Sequence, residues 1–552
     1  MRTRLLPFLS CLALALPAAA QQQDVNLPEL GSSAAGLISP QEETAYGESM
    51  LRELRSLNEV LDDPQVDAYL HTLGYRLVAA SADSSQHYTF VVLRDPDINA
   101  FAAPGGYIFI NAGLIDTTTS EDELAAVIAH ELAHISQHHL ERAFEDAKKK
   151  APLYALATLG ALLVAGGASE TAGPGIVTAG LGLMQQEQID FTRKDEAEAD
   201  RVGIGTLARA GFNPDAMADF FGRMEHTLRP GGGEGGDYSG DAPPFLQTHP
   251  VTSERIAEAK ARAHVFDEAR SDTAPGNGGA DVPPPVNTSL LPFVKNSSAL
   301  LAVSGNGDKG IYALMRERVR ALTPQNFNVP LQYYRRSLGR DPSPSTAYQY
   351  GYALSLIRAG QAQQAIRLLA PLANADPSST TLSLALADAE SDAGQRDKAL
   401  QRYAALSAQS PQNAAIAVGY AQALLDDGKP ASAKLAQEQI KPLLNDDAEP
   451  ELYRTYGHAC HVAGDDIRAG EAYADATFLS GRPQDALGQL KRLLDRNDLD
   501  YYARARIEAR IAEFTPIALE MQRRNLPQAG DKPDNGDNGQ LGLHACAGDS
   551  CM

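Results

Sequence analysis

The chain has 552 residues, with 70 acidic side chains against 48 basic ones and a formal net charge of -22. Such a surface repels polyphosphates and excludes nucleic acid as a partner, and the length is that of roughly three domains. Four cysteines are too few for a dense disulfide framework. From the N-terminus, Arg2 and Arg4 precede an apolar run from Leu5 to Leu16, and Ala18-Ala19-Ala20 offers a small-residue cleavage site, the pattern of a removable secretory signal over 1–20. Cys11 lies inside that run, so the mature chain holds Cys460, Cys546 and Cys551, of which the last two could pair in an oxidising compartment.

Tyr107-Ile108-Phe109-Ile110, launched by Gly105-Gly106, is β-branched and aromatic and reads as a strand. It is either an edge strand that takes an extended peptide by strand addition or an ordinary core strand. Thr117 to Ser120 with Glu121 and Asp122 then form an N-cap and an acidic first turn, and Leu124, Val127, Ile128 and Leu132 keep a helical period. On that helix lies His130-Glu131-Leu132-Ala133-His134. Histidines at i and i+4 share a face, so both rings can reach one Zn²⁺, and Glu131 can take a proton from the water the metal activates.

A catalytic zinc needs a third protein ligand and an open position. His138 sits roughly 12 Å along the axis from His130 and cannot share the ion. Gln137 and Leu140 stand where the metzincin pattern requires glycine and a third histidine. The remaining source is the acidic stretch 193–201, where Glu196 and Asp200 share a helix face. Glu196 can ligate zinc, and Asp200 can accept a hydrogen bond from the second nitrogen of a ligating ring. A stretch of this kind is otherwise a solvated face.

Residues 151–184 are apolar but rich in Ala and Gly and broken by Gly166-Gly167 and Gly173-Pro174-Gly175, which favours a helical hairpin near the site or in peripheral contact with a membrane over a spanning helix. Gly231 to Gly236 is a flexible loop, 266–305 a Pro/Gly-rich linker and 524–552 a polar disordered tail. Between linker and tail, small residues recur at Ala353, Ala387, Ala421 and Gly457 and at Ala365, Ala399, Ala433 and Ala469, with Gly360, Gly394, Gly428 and Gly464 between them. Paired helices with small residues at their crossings and glycine at the turn resemble tetratricopeptide repeats, a concave binding surface rather than a second catalyst.

The motif H-E-L-A-H, the later E-A-E-A-D-R from Glu196 to Arg201, the strand segment Asn99-Ala100-Phe101 to Ile108 and Thr248-His249-Pro250 to Arg255 together resemble the Ste-type and HtpX-type zinc metallopeptidase family, closest to its periplasmic BepA-like branch. The resemblance implies His130, His134 and Glu196 as ligands of one Zn²⁺ per chain and Glu131 as general base. His249 would occlude the metal, donate to a developing oxyanion, or only cap the turn before Pro250. The expected fold is an α+β zincin-like domain over 21–265, mostly helical with a small sheet and an edge strand, followed by an all-α tetratricopeptide-like solenoid over 306–523. The resemblance further implies a periplasmic endopeptidase and chaperone acting on misassembled outer-membrane or other envelope proteins beside their assembly machinery. The rival reading is a non-proteolytic assembly scaffold with a structural zinc, in which Glu131 would have no use as a base.

Overall fold

The computed structural model describes residues 39–81, 86–143, 193–227, 243–272, 310–338, 343–445 and 448–523. The expected signal (1–20), the apolar stretch 151–184, the loop Gly231 to Gly236, Cys546, Cys551 and the tail lie outside the described residues, as does most of the linker.

Two capped helices open the structure. In α1 (Pro40–Ser56), Ser39 and Glu42 form a reciprocal capping box; in α2 (Pro64–Val78), the Asp63 carboxylate accepts from the backbone N–H groups of Gln65 and Val66. Strands β1 (Thr89–Leu93), β2 (Ala100–Ala103) and β3 (Tyr107–Asn111) form a sheet of order β1-β3-β2. β1 runs parallel to β3 and β2 antiparallel to it. Tyr107-Ile108-Phe109-Ile110 is therefore not the edge strand: it is paired on both sides and buried throughout. Its run of β-branched and aromatic residues without polar alternation is the signature of a strand covered on both faces. The turn into it needs glycine, since Gly105 and Gly106 have φ of 80° and 82° and a Cβ on Gly106 would lie 2.1 Å from the His87 carbonyl oxygen.

β3 runs directly into α3 (Ala112–Thr117), and Ser120 then caps α4 (Glu121–Ser136), which carries the H-E-x-x-H motif. Helical residues 193–209, then Ala216–Thr227, Pro244–Thr248 and Ser253–Asp272, complete this part. The last helix continues past 265, so the chain expected to be linker from 266 begins as helix.

Four helix pairs follow the repeat pattern, at Thr346–Arg358 with Ala362–Ala375, Thr380–Asp392 with Arg396–Gln409, Ala414–Leu425 with Pro430–Ile440, and Pro450–Val462 with Asp466–Leu479. Gly360, Gly394, Gly428 and Gly464 sit at the turns with φ between 63° and 86°, a left-handed C-terminal cap. The alanines at the crossings are buried, as is the thiol of Cys460, whose pKa burial pushes up to about 11. Further pairs flank the array, Ile311–Leu322 with Asn328–Leu338 before it and Pro483–Leu494 with Tyr501–Arg523 after it.

The first of these helices belongs to the core of the preceding part. A continuous apolar cluster runs from Leu61 through α4 to Tyr312, Met315, Tyr350 and Leu386. Polar contacts seal the junction. Arg318 donates to both Asp63 oxygens at 2.7 Å, and the Tyr312 hydroxyl donates to the Thr118 carbonyl at 2.8 Å. Arg94 donates to the Leu322 and Thr323 carbonyls, and Arg320 pairs with Asp116. Asp63 and Arg318 are both buried, and breaking such a pair from one side strands the other charge. Asp63→Ala is expected to destabilise the protein by about 3–5 kcal/mol, measured as a lowered urea midpoint, with both halves of the molecule affected.

Candidate metal centre

α4 enters the core as a helix apolar on nearly every side: residues 123 to 133 are all buried. Its start is fixed by Ser120 Oγ, which accepts from Glu123 N at 3.3 Å. His130, Glu131 and His134 project from it toward Glu196 and Asp200 on helix 193–209, while His249 caps the end of Pro244–Thr248 and Arg255 follows in the first turn of the next helix.

One donor atom from each of His130, His134, Glu196 and His249 can be chosen so that all lie within 4.8 Å of one another. His130 Nε2 and His134 Nε2 are 3.1 Å apart, and they stand 3.4 and 3.5 Å from the two Glu196 oxygens. His249 Nδ1 lies 2.8 Å from Glu196 Oε1 and 3.4 Å from His130 Nε2. Donors on a tetrahedral ion with bonds near 2.0–2.1 Å stand about 3.4 Å apart, so the spacing and the nitrogen and carboxylate chemistry fit a divalent cation such as zinc.

The surroundings orient these donors. His130 Nδ1 meets Asp200 Oδ1 at 3.0 Å, and Arg255 donates to both Asp200 oxygens at 2.8 Å. Arg255 also reaches Glu196 at 2.9 Å and donates to the Pro250 carbonyl at 2.9 Å, tying the His249 turn to the acidic helix. His134 Nδ1 meets His139 Nδ1 at 2.8 Å, His139 Nε2 lies 3.3 Å from Glu198, and Arg142 donates to Glu198 at 2.8 Å. The Phe245 ring packs on His249 at 5.0 Å between centroids.

Burial works against every charge here, and hydrogen bonding decides which survive. For His130, burial lowers the pKa, but hydrogen bonds to Asp200 and Glu196 raise it to about 10. His134 is held down to about 3, chiefly by burial and also by the charge on His130. Burial raises the Glu196 carboxyl, yet hydrogen bonds from His130, His134 and His249 outweigh it and hold the group far below the usual carboxylate range. Burial raises the Glu131 carboxyl against the pull of His249 and His130. Its Oε1 is buried without a hydrogen-bond partner and lies 3.6 Å from His249 Nε2. Such a carboxylate, sealed beside the donor set and with a raised pKa, is suited to accept a proton.

Every sequence-derived candidate on α4 and helix 193–209 thus reaches one pocket, and His249 joins it. His138 does not: it leaves the helix with φ of 53° and faces Glu141. That same break returns His139 toward His134, a contact that counting along a straight helix axis misses. Arg255 was legible only as part of the H-P-x-x-x-x-R pattern, with no role attached. The sheet's edges are β1, which carries a bridge from Leu93 to Val60, and β2. Asn99 O accepts from Asn111 N, so in this register Ala100 and Ala102 turn their backbone groups away from β3. The Ala102 backbone lies near enough to the Glu131 carboxyl to work against the rise that burial causes.

Residues 64–263 match peptidase family M48 and residues 308–446 match the tetratricopeptide repeat. The chain belongs to peptidase family M48. It is 40% identical over 264 residues to the putative beta-barrel assembly-enhancing protease of Vibrio cholerae, covering 48% of this chain and 53% of the relative. Against the beta-barrel assembly-enhancing protease of Escherichia coli it is 31% identical over 366 residues, 66% of each chain. With the mitochondrial metalloendopeptidase OMA1 of Schizosaccharomyces pombe it shares 34% identity over 190 residues, 34% of this chain and 50% of the relative. The chain thus spans about half to two thirds of the length of these relatives.

Partners of ligating imidazoles set ring orientation, and their loss typically costs 10–100-fold in metal affinity. His139→Ala is expected to weaken zinc binding by about that factor in competition with a chelator. His139→Asn, which keeps an acceptor where Nδ1 stands, is expected to restore most of it.

Proposed function

We propose that the protein is a zinc-dependent endopeptidase of the bacterial envelope whose repeats recruit misassembled outer-membrane proteins. The observation that carries the catalytic part is Glu131, a buried carboxylate beside the converging atoms of His130, His134 and Glu196. A purely structural zinc site has no use for it. Zinc, when bound by these three side chains, would polarise a scissile carbonyl and acidify a water. Glu131 takes the proton from the attacking water and passes it to the leaving amine, a transfer for which its raised pKa suits it. Asp200 and Arg255 hold the His130 ring and the Glu196 carboxylate in place. An extended substrate would lie along the edge of β2, whose outward backbone groups bind without regard to side-chain identity and which brings Ala102 beside Glu131.

The periplasmic location rests on the signal-like N-terminus. The choice of outer-membrane clients and of their assembly machinery as partner rests on the names of the Vibrio and Escherichia relatives. Recruitment by the repeats rests on the concave surface that stacked helix pairs form.

Glu131→Gln should keep its zinc and lose at least ~100-fold in cleavage of casein or of a client, whereas Glu196→Gln should lower zinc occupancy, both read from metal content beside activity. Retained cleavage in the first variant would mean that another group activates the water. His249 presents Nδ1 to the donor set, where as a fourth ligand it would exclude the attacking water. His249→Ala is therefore expected to raise basal proteolysis; a fall would assign it to the oxyanion, and no change would leave it a turn cap.

A further inference from the structure

Far from the metal centre, a cleft of about 700 Å³ opens between the helices Pro450–Val462, Asp466–Leu479 and Pro483–Leu494. Arg454, Arg482, Arg492 and Arg496 line it, and no carboxylate does. We propose that this cleft binds an extended peptide segment through acidic side chains, which deepens the client-recruiting role of the repeats and rests on that reading.

The first ground is charge. In a chain of net charge -22, the lining of this one cleft carries four guanidinium groups and no carboxylate, and the surrounding field drives away a polyanion such as nucleic acid while leaving a short acidic segment a place to land. The second is the choice of side chain. No lysine lines the cleft, and the planar guanidinium fork is the group that binds carboxylate bidentately.

The third ground is availability. Arg454 pairs with Glu451 at 2.9 Å, Arg482 with Asp485 at 3.8 Å and Arg496 with Asp498 at 2.6 Å, each a near neighbour in sequence with solvent-exposed atoms. Exposed pairs of this kind exchange readily for another carboxylate. Arg492 is exposed and makes no ion pair or hydrogen bond among the described residues. Within the lining, the amide of Gln489 donates to Thr477 Oγ1 at 3.1 Å, so these two polar groups satisfy each other and the charges left to meet a ligand are the arginines.

The fourth ground is shape. Arg482 stands at the start of Pro483–Leu494 and Arg496 just beyond its end, so the arginines span a 12-residue helix, about 18 Å at 1.5 Å per residue. An extended strand covers that length with about five or six residues.

The test is fluorescence anisotropy of the full chain carrying Glu131→Gln, so that the probe stays intact, with a labelled, C-terminally amidated (Glu-Leu)3 peptide. Saturable binding is expected that weakens as salt rises, falls at least tenfold in R454E/R492E, and is unchanged in R523E at the exposed end of the last helix. The matched (Gln-Leu)3 peptide should not bind. Both replaced arginines are exposed; should the reversal nevertheless unfold the protein, R454Q/R492Q decides. Undiminished binding by the folded double variant overturns the proposal. So does equal binding of the Gln peptide, or a single-stranded oligonucleotide that displaces the probe more strongly than unlabelled peptide does. With Glu131 intact, R454E/R492E should cleave a short neutral peptide substrate at the full rate. Failure of the unsubstituted protein to cleave casein would count against the peptidase reading and leave the cleft assignment standing.

Discussion

Glu196 is a carboxylate removed from water, surrounded by three imidazoles and a guanidinium, and the arrangement of the pocket answers to that one buried charge. An isolated carboxylate at this depth would protonate. It stays ionised because His130, His134, His249 and Arg255 all turn polar hydrogens or positive charge toward it. Asp200 repeats the pattern one turn away and divides Arg255 and His130 with Glu196. Two carboxylates and a guanidinium leave one negative charge over, which a proton on His130 or a cation between the rings can meet. A pocket so balanced fits a cation, and the separations among its donors agree with that.

Much of this was legible in the sequence, and the misses are physical. The i, i+4 histidines and the i, i+4 pair Glu196 and Asp200 declare themselves because a helix maps spacing onto a face. The repeat helices do likewise, since Gly360, Gly394, Gly428 and Gly464 recur wherever the chain must adopt positive φ. The sheet order did not declare itself. Tyr107 to Ile110 has the composition of any well-formed strand, and whether it lies at the edge depends on β1, eighteen residues earlier at Thr89, pairing with it in parallel. His139 stayed hidden because the helix breaks at His138, and Arg255 because its partners lie 55 residues upstream. Pairings set by tertiary folding leave no periodic trace.

The boundary between the two parts is likewise less sharp than composition indicates. A Pro/Gly-rich stretch is a good sign of a linker, yet the helix that follows it, Ile311–Leu322, packs beside α2 and α3 and shares their apolar cluster. Tyr312 donates to both the carbonyl and the hydroxyl of Thr118, two residues before the cap of the motif helix. The start of α4, and with it the direction in which the two histidines point, is held partly by a residue 194 positions further along the chain.

That separation has a consequence for biosynthesis. A chain delivered from its N-terminus presents the H-E-x-x-H helix long before Tyr312 and Arg318, and Asp63 waits through 255 residues for its counter-charge. Until then the nascent hydrolase lacks one wall of its own core. The core around the motif helix is thereby closed only by residues of the helix that leads into the repeat array, so neither part is complete without the other.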